Sequence, residues 1–251
     1  MAGVNLAVIL AAGMGTRLRS SHSGMPKGFL ALGEQPIIEE SIARLRQAGI
    51  GRIIIVTGYY SDFYEELAAA NSDISTVHND KFADSGSMYS LWCARDRIDE
   101  GFLLLESDLV YEQRALTVLQ EGSVDAVLLS GPTNAGDEVY VETEGDGPVG
   151  HLYNMSKDAD ALGADPSGEL VGISRISPEL FRYMREYAEM EFHADNLHVS
   201  YEEDALVHAG RQMHVPCPVV ADLLWGEIDD ASHLERVREM VYPAICAAAN
   251  Q

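Results

Sequence analysis

The 251-residue sequence predicts an α/β fold organised around a mostly parallel central sheet. Three observations lead there. Short apolar runs of strand length alternate with longer amphipathic stretches, the pattern left by βα units whose strands are buried on both faces. Two of these runs, in "VILAAGMG" and "RIIIVTG", end at glycine, where a chain can turn sharply. Hydrophobic residues make up 47% of the chain, with no internal repeat and no low-complexity linker, so one domain spanning 1–251 can bury a sizeable core.

The elements follow in order. Residues 6–10 form the first strand, and Ile37, Ile38, Ser41, Ile42 and Leu45 then recur at helical spacing until Gly49. Residues 52–58 supply a second, β-branched strand. A helix over 61–70 leads to a strand at 74–78, a helix over 88–98 and a strong strand at 102–108. After a further apolar run at 126–130 the texture changes to polar and apolar alternation around Gly145-Asp146-Gly147, a hairpin signal, so the sheet is expected to turn partly antiparallel. Residues 156–168 read as a mobile loop, and 170–176 as a strand. Ser177-Pro178 opens a helix with Leu180, Met184 and Tyr187 on one face. Residues 201–209 read as helical, "QMHVPC" and "LLWGEID" as strands, and 232–245 as the last helix.

Composition excludes several function classes. Seventeen basic against 40 acidic residues give a net charge of −23, which leaves no basic stripe to neutralise a nucleic-acid backbone. The same negative field repels a free triphosphate, so a polyanionic substrate would need the few cations concentrated at one place and the help of a divalent metal. Cys93, Cys217 and Cys246 are odd in number and widely spaced, which suggests neither a disulfide framework nor a zinc site, but small buried hydrophobes in a reduced cytoplasm. The first apolar run is too short to span a membrane and no basic segment precedes it, so no membrane partner and no signal peptide are expected. The histidines lack paired spacing such as H-E-x-x-H and receive no metal or acid–base role.

The Gly13-x-Gly15 turn after the first strand lets backbone N–H groups approach phosphate oxygens. A dinucleotide fingerprint would need a third glycine at Leu18 and an acidic residue at Gly58, and no stretch reads G-x-x-x-x-G-K-[ST]. Both of those phosphate-binding classes therefore drop out.

"LAAGMGTRL" followed by "PKGFLALG" resembles the signature of the nucleotidyltransferases that activate sugar phosphates and phosphocholine. The resemblance runs through "GEQPIIEESIARLRQAGIGRIIIVTGY" and "HNDKFADSGSMYSLWCAR" over about the first 110 residues. "LLLESDLVYE", "GDEVYV", "GELVGISRIS" and "WGEIDD" are most similar to the CTP:phosphonate cytidylyltransferases that act on 2-aminoethylphosphonate. The resemblance implies a Rossmann-like three-layer nucleotidyltransferase (GT-A-like) fold, with a nucleotide-binding part at about 1–110 and an acceptor-binding part at about 111–251. It also implies CTP as the nucleotide, a small phosphonate acceptor and Mg2+ as cofactor. Ser107-Asp108 stands where the sugar enzymes have glycine-aspartate, which weakens a sugar-phosphate reading.

These expectations assign residues. Gly13, Gly15 and Thr16 donate backbone hydrogen bonds to the triphosphate, Arg17 faces its outer phosphates, and Lys27 spans the α-phosphate and the incoming acceptor. The alternative for Arg17 and Lys27 is an ordinary solvated cation. Leu10, Ala11, Ala12, Ser85, Gly86 and Ser87 are placed by resemblance near cytidine, with helix capping as the other role of the two serines. Asp108, at the end of its strand, and by resemblance Asp229 form the magnesium pair, unless Asp229 instead caps the last helix. A cationic acceptor draws attention to Glu112, Asp137, Glu138, Tyr140, Tyr201, Glu202 and Trp225, and Lys157 is an isolated cation that could hold the phosphonate. Phosphocholine or a sugar 1-phosphate as acceptor, a non-catalytic nucleotide-binding regulator, and a homo-oligomer all stay open.

Overall fold

The computed structural model describes residues 3–18, 24–145, 149–163, 165–198 and 201–249. The first strand, β1 (Leu6–Ala11), is buried along its whole length and is followed by α1 (Ile37–Gln47), β2 (Arg52–Thr57), α2 (Ser61–Ala70) and β3 (Ile74–His78). Then come α3 (Ser87–Cys93), β4 (Phe102–Glu106), the short β5 (Leu109–Tyr111), α4 (Arg114–Glu121) and β6 (Ala126–Ser130). The second half adds β7 (Tyr140–Glu144), β8 (His151–Ser156), β9 (Gly168–Ile176), α5 (Pro178–His193) and α6 (Glu202–Gly210). It closes with β10 (Val219–Val220), β11 (Trp225–Glu227), α7 (Ala231–Arg236) and α8 (Tyr242–Ala249).

Seven strands of the main sheet lie in the order β10-β6-β9-β4-β1-β2-β3. β1 pairs in parallel with β2 and β4, and β2 with β3, while β9 runs against both β4 and β6. Along this path β9 alone points the other way, so the sheet is mixed but mostly parallel. Its two faces carry separate cores. Leu6, Val8 and Leu10 join α3, α5 and α6 on one side, and Ala7, Ile9 and Ala11 join α1, α2 and α4 on the other. Alternation along β1 thus builds three layers, each leucine, isoleucine or valine side chain contributing about 1.5–3 kcal/mol on full burial. A third, smaller core gathers Leu18, Leu30, Val110, Ile228 and Val237 beneath the C-terminal helices.

Several expectations change in detail. "QMHVPC" does not form a strand. Its backbone is extended enough for Val215 and Pro216 to accept hydrogen bonds from Leu152 and Val127, but Pro216 and Pro218 have no N–H to complete a ladder. Only Trp225–Glu227 of "LLWGEID" is a strand, and it pairs with β5 in a separate two-stranded sheet. The fourth strand ends at Glu106 and leaves Asp108 beyond it. The 88–98 helix is α3 followed by one 3-10 turn at Arg95–Arg97. Sequence pattern gave no helix at α4. The last helix passes through a π-helical turn at Val237–Val241 just ahead of Pro243, which cannot donate to an α-helical ladder. β7 and β8 pair antiparallel as the hairpin signal predicts, although Asp146 and Gly147 of its turn lie outside the described residues.

Candidate active site

The chain leaves β1 toward β2 and β3 on one side and returns to β4 on the other. The order reverses there, opening a crevice beyond the carboxyl ends of β1 and β4. A cavity of about 920 Å³ fills it, large enough for a nucleotide fragment and a small acceptor together.

Lys27 reaches this crevice because its neighbour is glycine. Pro26 holds an extended backbone ahead of a 3-10 turn at Lys27–Phe29. A Cβ on Gly28 would lie 2.8 Å from the Ser107 carbonyl oxygen and 3.0 Å from the Tyr64 hydroxyl, so only glycine lets the turn dock at the end of β4. Gly15 has a φ of +57° and passes over the Lys27 stem.

The Lys27 ammonium contacts Asp108 and donates to Asp229 Oδ1 at 2.8 Å, while Arg17 donates to Asp229 Oδ2 at 2.8 Å. Burial works against a charged lysine here, but the two carboxylates outweigh it and hold the ammonium pKa above its ordinary value. Burial likewise opposes the Asp229 carboxylate, and Lys27 and then Arg17 overcome it, so its pKa is lowered. Asp230, not Asp229, caps α7, accepting from the N–H groups of Ser232 and His233 at 2.8 and 3.0 Å. Asp229 is therefore left to face the cations.

Two short segments repeat one pattern: Glu106-Ser107-Asp108 and Glu227-Ile228-Asp229. In extended chain, alternate residues share a side, so each segment presents a glutamate and an aspartate together. The β5–β11 pairing sets Glu227 opposite Leu109, next to Asp108. Carboxylate oxygens of Glu106, Asp108 and Glu227 lie within 4.8 Å of one another, and Asp137, Asp229 and His233 form a second such group. Burial, followed by the neighbouring carboxylates, pushes Glu106 up to about 8 and Glu227 up to about 10. Glu202 and Glu203 enter the same wall from the first turn of α6, each raised chiefly by burial and each with an Oε2 that is buried and unpartnered. Crowded, oxygen-only donors with raised proton affinity fit a hard divalent cation near Asp108 and a cationic ligand beside the glutamates.

The crevice brings Leu10, Ala11, Ala12, Gly13, Arg17, Lys27 and Asp108 together with Ser85, Gly86 and Ser87. Asp137, Glu138, Lys157, Tyr201, Glu202, Trp225 and Asp229 line it as well. Gly15, Thr16 and Tyr140 do not line it, and Glu112 is engaged with Arg114 and the Leu224 N–H. Ser85 and Ser87 do not cap α3, whose N-cap is Gly86 without a side-chain bond. Ser85 Oγ instead accepts from buried Asn79, and Ser87 Oγ from the Glu202 N–H. Sequence reasoning passed over Glu106, Glu203 and Glu227, for which the repeated E-x-D spacing was the available signal. It also passed over His233, whose Nε2 lies 3.2 Å from Asp137.

Residues 7–120 match the family model of the MobA-like NTP transferase domain. Over that stretch, a little under half of the chain, the sequence is similar to this domain. The chain is 31% identical over 134 residues to the choline-phosphate cytidylyltransferase of Streptococcus pneumoniae, covering 53% of this chain and 58% of that protein. It is 28% identical over 237 residues to the CMP-5'-(3-aminopropyl)phosphonate synthase of Streptomyces rubellomurinus, covering 89% of this chain and 37% of that one. The matches thus span about half or less of these relatives' length. Among solved structures, the inositol-1-phosphate CTP transferase from T. maritima superposes with a TM-score of 0.78 at 20% identity, over 96% of each chain, so the two share a fold along nearly their whole length. Among the described residues no helix is long and apolar enough to cross a membrane.

Proposed function

We propose that the chain is a magnesium-dependent cytidylyltransferase that transfers CMP from CTP to a small amino-phosphonate, with 2-aminoethylphosphonate as the best-fitting acceptor. The observation that carries this reading is that one cavity joins the Lys27–Asp108–Asp229 centre to the buried glutamates 106, 202, 203 and 227. A phosphonate oxygen attacks the α-phosphorus of CTP, a new P–O–P link forms, and pyrophosphate leaves with the electrons of the broken bond. No covalent enzyme intermediate is required.

Lys27 supplies a fixed positive charge at the α-phosphate and the attacking oxygen, and Arg17, more exposed, meets the outer phosphates beside the Gly13 to Thr16 turn. Leu10 to Ala12 and Ser85 to Ser87 form the cytidine side. Asp108 and Asp229 would hold the magnesium ion, with Glu106 and Glu227 adjacent. When bound, the ion neutralises oxygen charge on the triphosphate. A primary ammonium with three N–H donors can satisfy the orphaned glutamate oxygens, which a quaternary ammonium cannot, and this favours an aminoalkyl acceptor over phosphocholine.

A pyrophosphate-release assay tests the reading with CTP and UTP against 2-aminoethylphosphonate, phosphocholine and glucose 1-phosphate. The expected result is turnover with CTP and the aminoalkylphosphonate, lost with EDTA and restored by Mg2+. Equal rates with all three acceptors would defeat the specificity. Lys27→Ala should lower the rate at least ~100-fold with modest loss of CTP binding. CTP binding without any wild-type turnover would point instead to a nucleotide-binding regulator.

A further inference from the structure

Arg236, at the end of α7, lines the same cavity as Lys27 and the glutamates. Among the described residues its side chain makes no hydrogen bond and no ion pair, and its Nε is buried without a partner. A guanidinium carries five N–H donors in a rigid fork, so a half-buried one with none of them engaged lacks what the fold normally supplies.

The other cations of the wall are differently situated. Arg17 and Lys27 hold Asp229 and Asp108, Arg211 donates to the Tyr153 carbonyl and to Asn154, and Lys157 is exposed. Glu138 and Glu169 feel the charge of Arg236, but neither comes within ion-pair distance, and Glu169 accepts from the Thr133 N–H. Space for the guanidinium is provided by Gly226, where a Cβ would lie 3.2 Å from Arg236 Nη2. Arg236 therefore rests against the β11 backbone between Trp225 and Glu227, beside the acidic wall yet not neutralised by it.

We propose that Arg236 binds an anionic oxygen group of the acceptor, so that the pocket recognises two opposite charges on one small molecule: ammonium at the glutamates, oxyanion at Arg236. The inference rests on reading this cavity as the acceptor site. A planar fork suits a phosphonate or a carboxylate, each of which offers two oxygens to parallel N–H donors. A neutral or purely cationic acceptor leaves Arg236 unmatched.

Steady-state kinetics and calorimetric titration of wild type, Arg236→Gln and Arg236→Lys test this. Arg236→Gln should raise the acceptor KM by about 10-fold to 100-fold while the CTP KM stays within twofold, and Arg236→Lys should recover part of the loss. Inorganic phosphate and 2-aminoethylphosphonate should both bind the Gln variant more weakly, and ethanolamine should bind both proteins alike. If 2-amino-3-phosphonopropionate binds the wild type more tightly than 2-aminoethylphosphonate and loses that advantage in the Gln variant, the anion read is a carboxylate; otherwise it is the phosphonate. Glu169→Gln, which changes a neighbouring charge outside the cavity wall, should leave the acceptor KM within twofold. An unchanged acceptor KM in Arg236→Gln, an equal rise in both KM values, or the same loss in Glu169→Gln would overturn the proposal. A wild type that binds these probes through Arg236 but never releases pyrophosphate would sink the cytidylyltransferase reading and leave the anion site standing.

Discussion

Lys27 Nζ donates to Asp229 Oδ1 at 2.8 Å across 202 residues of sequence, tying the turn after the first strand to the end of the last one. The neighbouring Asp230 does a different job, since it caps α7. The two aspartates therefore separate by measurement. Asp229→Asn should lower turnover about 100-fold with a small change in melting temperature. Asp230→Ala should cost about 1 kcal/mol of stability, or roughly 2–4 °C in a chain of this size, with turnover within about threefold of wild type. Thermal melts and pyrophosphate release on both variants decide it; interchanged phenotypes would refute the division of labour.

Glu227 places a strained titration in the site. Its carboxyl moves from an ordinary 4.5 to about 10, so the folded state binds a proton that the unfolded chain has released. The stability contributed by that proton is fully present below pH 4.5 and is lost as pH rises through 10. Melting temperature without metal should therefore fall between pH 6 and pH 9, and Glu227→Gln should flatten the fall and melt higher at the alkaline end. The same substitution should raise the acceptor KM, the usual exchange of stability against function. Melting curves of wild type and variant that stay parallel across this range would rule out Glu227 as the source.

Much of this architecture is legible in the sequence because the βα units of the first half are strongly periodic and their glycines mark where strands stop. Lys27 is legible because Pro26 and Gly28 bracket it. The acidic wall is harder to see: 40 acidic residues scatter carboxylates everywhere, and Glu106 and Glu227 stand out only once β5 and β11 pair. Those strands have three residues each, too short for a periodic pattern. Arg236 gives no sequence signal, since a basic residue in the last turn of a helix is ordinarily a favourable match to the helix dipole. "QMHVPC" misled because its apolar alternation outweighed Pro216 within it and Pro218 just after it, which mark a non-strand.

The cysteines differ in reactivity for reasons of burial. Cys246 is exposed, Cys93 is half-buried, and Cys217 is 1% exposed with its thiol pushed up to about 12. From an ordinary 9.0, that shift alone reduces the thiolate about a thousandfold at neutral pH. An aromatic disulfide reagent at pH 7.5 should label Cys246 first, Cys93 more slowly, and Cys217 only in denaturant. Mass spectrometry of peptides from partially labelled protein checks the order, and early modification of Cys217 would contradict its packing.

Gly28→Ala probes how closely Lys27 must be held. The added methyl meets the Ser107 carbonyl oxygen at 2.8 Å and the Tyr64 hydroxyl at 3.0 Å. The first is backbone at the end of β4 and the second belongs to a fully buried side chain, so neither yields easily. The 3-10 turn must move instead and carry the Lys27 ammonium away from Asp108. Overpacking of this kind costs about 1–3 kcal/mol, and a displacement near 1 Å at a reacting centre costs up to about 100-fold in rate. Turnover should thus fall by at least about 10-fold at a temperature where circular dichroism shows the variant fully folded. Retention of wild-type turnover in a folded Gly28→Ala protein would mean that the turn tolerates the shift and that Lys27 need not sit where the Pro26-Lys27-Gly28 segment now holds it.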